Sequence, residues 1–310
     1  MPRVVFLIPD RVELFDLAGP LQVFHEANAL GAGYEVVFAA SARTIASEQG
    51  VTIAKLVKLP RLRAGDLAIV PGSRVLRRGT PEQPELVAWV RDGYARGATI
   101  ASVCVGAFLL GRAGLLDERE CTTHWKHVAE LRSRFPRARV LDDRLYVRDG
   151  TIVTSAGVAS GVDLALALVE AQAGPRVAAA VAREMVIHVR RPGADSQLSA
   201  FVEYRDHLDA AVHHVQDWII NHPSDRHTLD DLAGVAQLSR RHLSRTFRAA
   251  TGLSIAQYHQ RIRLAHARAL LPNRRLTVEE IAERCGWGDA RHLRRAWRAA
   301  FGTSPADDRR

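Results

Sequence analysis

The sequence predicts two domains of different fold class: an α/β domain with a mostly parallel sheet flanked by helices, and an all-α domain with two helix-turn-helix units. At 310 residues the chain has room for about two domains. Short runs rich in Val and Ile alternate with helical patterns from Val4 to about Arg190, which is typical of a parallel sheet covered by helices. One helix-turn-helix pattern then occurs twice in the last hundred residues.

The elements of the first domain follow from these alternating patterns. The predicted strands are 4–8, 35–39, 67–70, 99–102 and 151–154. The predicted helices are 19–30, 85–96, 106–113, 124–135, 161–171 and 176–189. Turn-forming residues from Pro192 to Gln197 interrupt the last apolar helix. We therefore expect a first domain at 1–193, a linker at 194–207 and a second domain at 208–310.

The charge of the chain favours a nucleic-acid partner. Forty-three basic residues against 34 acidic residues give a formal charge of +9. From Leu208 onward there are 17 arginines and 11 acidic residues, so the basic excess is concentrated where the helix-turn-helix pattern lies. Only three residues are lysines, and a general use of arginine in place of lysine explains the composition equally well.

The three cysteines, Cys104, Cys121 and Cys285, are widely spaced and form no CxxC pair. This usage indicates a reducing compartment, without a disulfide framework or a zinc site. The first strand pattern follows the initial residues without a cleavable signal, and no apolar run approaches the roughly 20 residues of a membrane span. We therefore expect a soluble cytoplasmic protein, associated with the nucleoid and without a membrane partner.

One of these cysteines lies where a nucleophile would be expected. Cys104 follows the predicted strand that ends at Ser102 and comes just before the helix that begins at Gly106. The N–H groups and the dipole at such a helix start favour a thiolate and a developing oxyanion, as in a nucleophile elbow. A small buried hydrophobe is the alternative role for a cysteine in an apolar segment.

Several segments of the first domain carry a family resemblance. They are Asp16-Leu17-Ala18-Gly19-Pro20, Ser102-Val103-Cys104, 106–110, Thr122-Thr123-His124-Trp125, 154–158 and 161–164. Over about residues 3 to 199 the chain resembles the ThiJ/PfpI, class I glutamine amidotransferase-like superfamily, which implies a flavodoxin-like fold. The resemblance implies that Asp16 faces Cys104 in a pocket with His124 nearby. Val105 stands where threonine is common, so a hydroxyl at the elbow is missing; this favours sensing, and no catalytic residue is expected.

Neither a metal nor a cofactor is expected in this domain. His124 and His127 lie three residues apart on a predicted helix, but no third ligand stands at a useful spacing. The segment from Gly157 to Gly161 lacks the spacing of a nucleotide-binding loop. A helix beginning near Ser160 could instead present N–H groups to a ligand carboxylate.

The second domain begins with an amphipathic helix near Leu208, which Asn221-His222-Pro223 ends. Its apolar stripe consists of Val212, Val215, Trp218 and Ile219. Each helix-turn-helix unit then opens with a threonine followed three residues later by an acid, which predicts a capping box. These pairs are Thr228 with Asp231 and Thr277 with Glu280. The predicted turn residues are Gln237 and Gly286, and the predicted N-caps of the second helices are Ser239 and Asp289.

Each second helix is predicted to bury one face and to expose arginines on the other. The apolar residues are Leu243, Phe247 and Ala250 in the first unit and Leu293, Trp297 and Ala300 in the second. The arginines are Arg241, Arg245 and Arg248 in the first unit and Arg291, Arg295 and Arg298 in the second. A solvated face is the ordinary role of such a stripe. Its occurrence twice in register favours DNA reading, because the fork of arginine pairs with guanine in the major groove.

Residues 208 to 305 resemble the AraC/XylS DNA-binding domain, in which a long helix, here 254–271, joins the two units. Cys285-Gly286-Trp287 and the segment 301–305 match its signature. The resemblance implies base contacts from Arg241, Ser244, Arg245, Arg291 and Arg295. It implies secondary contacts to DNA or phosphate from Ser239, Arg248, Arg294 and Arg298. Ala290 stands where a polar base-reading residue is common, so we expect the second unit to read fewer bases.

The two domains together resemble the GlxA/FtrA group of bacterial transcriptional regulators. This implies a sequence-specific regulator, an activator rather than a repressor, that binds double-stranded DNA and RNA polymerase and forms a homodimer through its first domain. We expect the pocket at the carboxyl ends of the sheet to bind a small nitrogenous metabolite such as an amino acid, betaine or carnitine. Two alternatives stay open: a hydrolase or hydratase that uses Cys104, and a ligand-independent repressor or architectural protein.

Overall fold

The computed structural model describes residues 2–79, 83–188, 190–271 and 273–309. It contains two units, Met1–Gln197 and Leu198–Arg310. The division between them falls inside the segment 194–207 that the sequence predicts as a linker. Among the described residues, no helix is long and apolar enough to cross a membrane.

The first unit is built on a six-stranded sheet. Its strands are β1 Arg3–Leu7, β2 Glu35–Ala39, β5 Leu67–Val70, β6 Thr99–Val103, β9 Tyr146–Asp149 and β10 Ile152–Ser155. Two small pairs lie outside it, β3 Thr44–Ala46 with β4 Thr52–Ala54 and β7 Glu120–Cys121 with β8 Arg139–Val140. The strand order is β2-β1-β5-β6-β10-β9, with only the edge strand β9 antiparallel. This confirms the predicted mostly parallel sheet.

Helices cover both faces of the sheet. They are α1 Leu14–Ala29, α2 Arg74–Arg78, α3 Pro84–Ala95, α4 Ala107–Arg112, α5 Val128–Arg134, α6 Ser160–Ala173 and α7 Pro175–Glu184. Val4 and Phe6 of β1 are buried in one hydrophobic cluster, and Val5 and Leu7 are buried in the other. Both faces of this strand are therefore apolar, as burial between two helical layers requires.

Three predicted helix boundaries of this unit are wrong. Helix α1 begins five residues earlier than predicted, because it accommodates Pro20 in its interior. Helix α5 begins only at Val128, after a short 3-10 turn in which the His124 side chain accepts a hydrogen bond from the backbone N–H of Lys126. Helix α7 ends at Glu184; the predicted end at Val189 lies outside the described residues.

The second unit is helical and has two separate cores. Its helices are α8 Ala210–Asn221, α9 Leu229–Ala236, α10 Arg240–Thr251, α11 Ile255–Leu270, α12 Val278–Arg284 and α13 Ala290–Phe301. Helix α11 contributes Tyr258 and Ile262 to the core around Phe247, and Leu264 and Ala267 to the core around Trp297. This helix therefore joins two helix-turn-helix units that each pack around one large aromatic side chain.

Two residues of the predicted apolar faces are exposed. Trp218 is 41% exposed, because it lies off the line of Val212, Val215 and Ile219, and its ring stacks on His222. Ala300 lies in the last turn of α13 and is exposed; Ala296, one turn earlier, is buried instead. The other large residues of the predicted apolar faces of α8, α10 and α13 are buried.

Candidate functional site

The first candidate site lies at the carboxyl ends of the parallel strands. Asp16 follows β1, Gly72 follows β5, Cys104 follows β6 and Val158 follows β10. Because parallel strands end at the same edge of a sheet, these four segments converge there, which is where open α/β sheets bind ligands. The chain therefore assembles this pocket from segments that are up to about 140 residues apart.

Cys104 is held on a tight turn between β6 and α4. Its φ angle of +55° lies in the left-handed region, which costs a non-glycine residue about 1 to 3 kcal/mol. Two glycines make room for the turn: a Cβ at Gly106 would collide with the carbonyl oxygen of Val70, and a Cβ at Gly157 would collide with Cys104. The structure thus places Cys104 on the predicted elbow, with a backbone geometry that larger neighbours would prevent.

Asp16 is buried beside Cys104. Its carboxylate accepts hydrogen bonds from the backbone N–H of Val158 at 2.7 Å and of Gly72 at 3.2 Å, and from the Cys104 thiol. Burial nevertheless raises the pKa of Asp16 to about 6. The backbone N–H of Val158, just before α6, thus donates to the protein's own Asp16 carboxylate.

The same arrangement reverses the expected ionisation of the cysteine. Burial raises the pKa of the Cys104 thiol well above its usual range, and the neighbouring Asp16 carboxylate raises it further. Desolvation and the negative charge of Asp16 thus favour the neutral thiol, contrary to the predicted thiolate, although a hydrogen bond from the backbone of Val105 acts in the opposite direction. Cys104 is a neutral hydrogen-bond donor at neutral pH.

A cavity of about 410 Å³ opens onto these residues. It is lined by Glu13, Phe15, Asp16, Arg74, Arg77, Cys104, Val105, His124, His127 and Val158. The structure therefore brings together all three predicted pocket residues. His124 lines the same cavity, but within the described part of the chain no hydrogen bond joins it to Cys104.

The cavity wall carries both signs of charge. Arg77 pairs with Glu130 at 2.9 Å and Arg74 with Glu48 at 3.1 Å, while Glu13 accepts a hydrogen bond from Gln49 at 2.6 Å. Burial lowers the pKa values of both lining histidines, so their rings are neutral at neutral pH. A ligand in this cavity would meet charged side chains that already have partners.

Sequence reasoning missed most of this lining. Glu13, Phe15, Arg74 and Arg77 lie near the ends of β1 and β5, but no motif distinguishes them. Their only signal is their position just after predicted parallel strands, where side chains of different segments meet.

The elbow is also hydrogen-bonded to the end of the first unit. The Thr123 hydroxyl donates to the backbone carbonyl of Cys104 at 2.8 Å. The side-chain amide of Gln197 donates to the backbone carbonyl of Thr123 at 3.0 Å and to the Thr122 hydroxyl at 3.3 Å. Gln197 is the last residue of this unit, so the segment that carries His124 is hydrogen-bonded both to the elbow and to the end of the first unit.

The second candidate site consists of the exposed faces of α10 and α13. Capping boxes begin the first helix of each pair, and Ser239 and Asp289 cap the second helices, as predicted. The predicted base-contacting residues Arg241, Ser244, Arg245, Arg291 and Arg295 are all exposed, and so are Arg248, Arg294 and Arg298. The turn residues Gln237 and Gly286 both have positive φ angles, which close the turn between the helices.

Two arginines on these helices have intramolecular partners. Arg240 pairs with Asp230 of α9, and Arg294 pairs with Glu279 of α12 at 2.5 Å. Within the described part of the chain, the six arginines of the predicted stripes form no ion pair with an acidic side chain. Each helix therefore presents three arginines whose charge is available to an anionic partner.

Comparisons with known proteins match a different family model to each unit. A DJ-1/PfpI family model matches residues 2–171, and a helix-turn-helix domain model matches residues 232–310. The HTH-type transcriptional regulator CdhR of Pseudomonas aeruginosa is 31% identical, covering 88% of this chain and 80% of its own length. An AraC family transcriptional regulator from Pseudomonas putida has a solved structure with a TM-score of 0.54 at 25% identity, covering 60% of this chain and 100% of its own. The isonitrile hydratase of Pseudomonas putida is 28% identical, covering 56% of this chain and 72% of its own length.

Proposed function

The chain belongs to the DJ-1/PfpI family and joins this domain to an AraC-type helix-turn-helix domain, and from this premise we propose how it works as a DNA-binding transcriptional regulator. Its first unit binds a small nitrogenous metabolite in the cavity lined by Asp16, Cys104 and His124, which we call the cysteine cavity. Its second unit reads DNA. The observation that carries the proposal is the pair of exposed arginine faces on α10 and α13, which form no ion pair within the described residues and each follow a capped helix.

For DNA reading, we propose that Arg241, Ser244 and Arg245 of α10 and Arg291 and Arg295 of α13 contact base edges. Ser239, Arg248 and Arg298 lie at the margins of these faces and contact phosphates. Arginine can pair bidentately with guanine in the major groove, and each such pair contributes about 1 to 3 kcal/mol of discrimination. Two unequal helices on one chain predict an asymmetric site on adjacent major-groove segments.

The experiment that tests this function is selection of duplexes from a random-sequence library by the full chain. A regulator of this kind should enrich one asymmetric motif and bind it at least about a thousandfold more tightly than random DNA at physiological salt. Enrichment of no motif, with equal affinity for all duplexes, would sink the proposal. The genomic positions of the motif would then identify target genes.

For the effector, the cavity offers neutral histidines, paired arginines, two acidic residues and apolar walls to a small polar molecule. Thermal unfolding in the presence of L-arginine, glycine betaine and L-carnitine, with succinate for comparison, tests the nitrogenous class. A stabilising compound should lose its effect in His124→Ala, which removes a lining side chain. It should keep its effect in His25→Ala, which removes an exposed histidine of α1 outside the cavity. Stabilisation by succinate alone would contradict the proposed class.

We further propose that the protein is an activator that binds RNA polymerase and forms a homodimer through its first unit. Transcription of a promoter carrying the selected motif should rise when the protein and its effector are added to purified polymerase. The isolated segment 1–197 should sediment as a dimer. Repression of the promoter, or a monomeric first unit, would remove these parts of the proposal and leave DNA reading intact.

A cysteine-dependent hydrolase or hydratase is the second candidate, favoured by the elbow position of Cys104 and by the similarity to isonitrile hydratase. Val105 at the elbow and the raised pKa of the Cys104 thiol weigh against it. Turnover of a simple alkyl isonitrile that disappears in Cys104→Ala would decide for the enzyme. Equal, background rates for both proteins would decide for the sensor.

A further inference from the structure

One ion pair joins each of α10 and α13, here called the recognition helices, to the helix that precedes it, and the acid has the same position in both units. Asp230 and Glu279 occupy the same place in the two units, the second position of α9 and of α12. Each carboxylate pairs with an arginine of the helix that follows, Asp230 with Arg240 and Glu279 with Arg294. Hydrogen bonding to Arg294 lowers the pKa of Glu279, so the acid is fully ionised at neutral pH. Both pairs are on the surface.

The arginine partners, in contrast, occupy different places in the two units. After the turn, the repeat has an offset of 50 residues, so Arg240 corresponds to Ala290 and Ser244 corresponds to Arg294. The two places are four residues apart on the recognition helix, which puts them one above the other on the same face. Each unit therefore has one arginine within reach of its acid, and an uncharged residue at the other place.

We propose that Asp230 and Glu279 are specificity-determining residues: each retains one arginine of its recognition helix and thereby decides which side chains of that helix are left to read DNA. In the first unit, Asp230 holds Arg240 in an ion pair, and Ser244 is left to contact the DNA. The second unit keeps Arg294 on Glu279 and presents Ala290. This inference rests on the proposed DNA-binding function and revises the role that the family resemblance implies for Arg294.

The electrostatic reason is local charge balance. If Arg294 left Glu279 to contact a phosphate, the carboxylate would stay behind, unpaired, beside the phosphate backbone, and like charges at short range repel. While the pair is intact, neither group adds net charge to the DNA-facing surface. The carboxylate thus cancels one cation on each helix, and the arginines of the stripes, which form no ion pair in the described part of the chain, supply the attraction to DNA.

The test is a double-mutant cycle in the full chain, using Glu279→Gln, Arg294→Ala and the double variant. Binding is measured by fluorescence anisotropy at several salt concentrations, on the selected motif and on a random duplex of equal length. Glu279→Gln should tighten binding to both duplexes several-fold and increase the salt slope by about one, because the released arginine neutralises one more phosphate. Arg294→Ala alone leaves the carboxylate unpaired, so it should weaken binding to both duplexes by a similar several-fold factor, and in the Glu279→Gln background it should abolish the gain.

A tenfold loss of motif binding in Arg294→Ala, with a much smaller loss on the random duplex, would overturn the inference, because Arg294 would then read bases. Unchanged binding in Glu279→Gln would overturn it as well. Because the random duplex reports charge release without any motif, this result is separate from the selection experiment that tests the proposed function. Circular dichroism checks that each variant keeps its helices.

A matched exchange gives a second, independent readout. The combination Ala290→Arg with Arg294→Ser transfers the arrangement of the first unit to the second, within reach of the same acid. We expect its affinity for random DNA to stay within about twofold of the original protein, while the preferred bases under α13 change in a repeated library selection. If the selected motif did not change, the proposed role of Glu279 in specificity would be contradicted.

Discussion

The cysteine cavity and the arginine faces use charge in opposite ways. In the cavity, Asp16 is buried, its pKa is raised to about 6, and the chain supplies its hydrogen-bond donors from three distant segments. On α10 and α13 the arginines are exposed, and one helix supplies each set. The cavity therefore depends on desolvation and on exact backbone positions, whereas the helix faces depend on charge density and respond to salt. Substitutions should separate these two kinds of site.

The largest effect on stability is expected at Gly157, where the backbone beside the cavity leaves no space for a Cβ atom. Gly157→Ala combines a φ angle of +101° with a collision against Cys104, so we expect the first unit to lose about 4 kcal/mol of stability. Urea unfolding with peptide-resolved pulse hydrogen exchange measures the two units separately. Gly31→Ala is the matched control, since its φ of +87° is similar but nothing lies within 4 Å of the added Cβ. Equal losses in the two variants would show that backbone strain alone matters.

The second effect is a dependence of the unfolding free energy on pH, which comes from the buried Asp16. Since burial raises the Asp16 pKa from 3.8 to about 6, the folded unit binds the proton more tightly than the unfolded chain. The stability that protonated Asp16 contributes is therefore fully present below pH 4, and it is lost as the pH rises to 6. The loss amounts to about 3 kcal/mol, because one pKa unit corresponds to about 1.4 kcal/mol.

Asp16→Asn should remove this slope from the unfolding free energy of the first unit, measured by urea titration between pH 4 and pH 7. Comparison with the original protein cancels the titration of other groups. A difference between the two proteins that stays constant over this range would show that Asp16 is ionised throughout.

On the arginine side, Arg245→Ala should weaken binding to the selected motif by about 1 to 3 kcal/mol, with little change in stability. Arg240→Ala removes an arginine of the same helix that is paired with Asp230, so we expect a clearly smaller loss. Anisotropy titrations on motif and random duplexes measure both. If Arg245→Ala weakened both duplexes equally, Arg245 would contact only phosphate.

The smallest effect concerns the caps that the two helix-turn-helix units share. Thr228→Ala and Thr277→Ala each remove an N-cap hydroxyl that accepts a hydrogen bond from the third residue of its helix. We expect each to cost about 1 kcal/mol of stability in the second unit. Thr228→Ser and Thr277→Ser keep the hydroxyl and should cost much less. A similar loss for serine and alanine would point to the methyl group instead of the cap.

The regular elements of both units could be predicted because their signals are local. All five predicted strands form, and the caps, turns and arginine stripes of the helix-turn-helix units lie where their spacing puts them. The edge strand β9, the short strands and α2 were missed, because two to five residues carry too little periodic signal to distinguish them from loops. Trp218 was misplaced for a different reason: it lies at the edge of the apolar stripe, off the line of Val212, Val215 and Ile219, and is 41% exposed.

By itself, the sequence determined the two fold classes, the positions of the recognition helices and the elbow position of Cys104, since each depends on residues close together in the chain. Only the tertiary structure decided the lining of the cavity, the neutral state of Cys104 and the pairing of Arg294 with Glu279. Burial and ion pairing depend on which distant segments meet, and a periodic pattern carries no information about the dielectric or the charges that a side chain will encounter there.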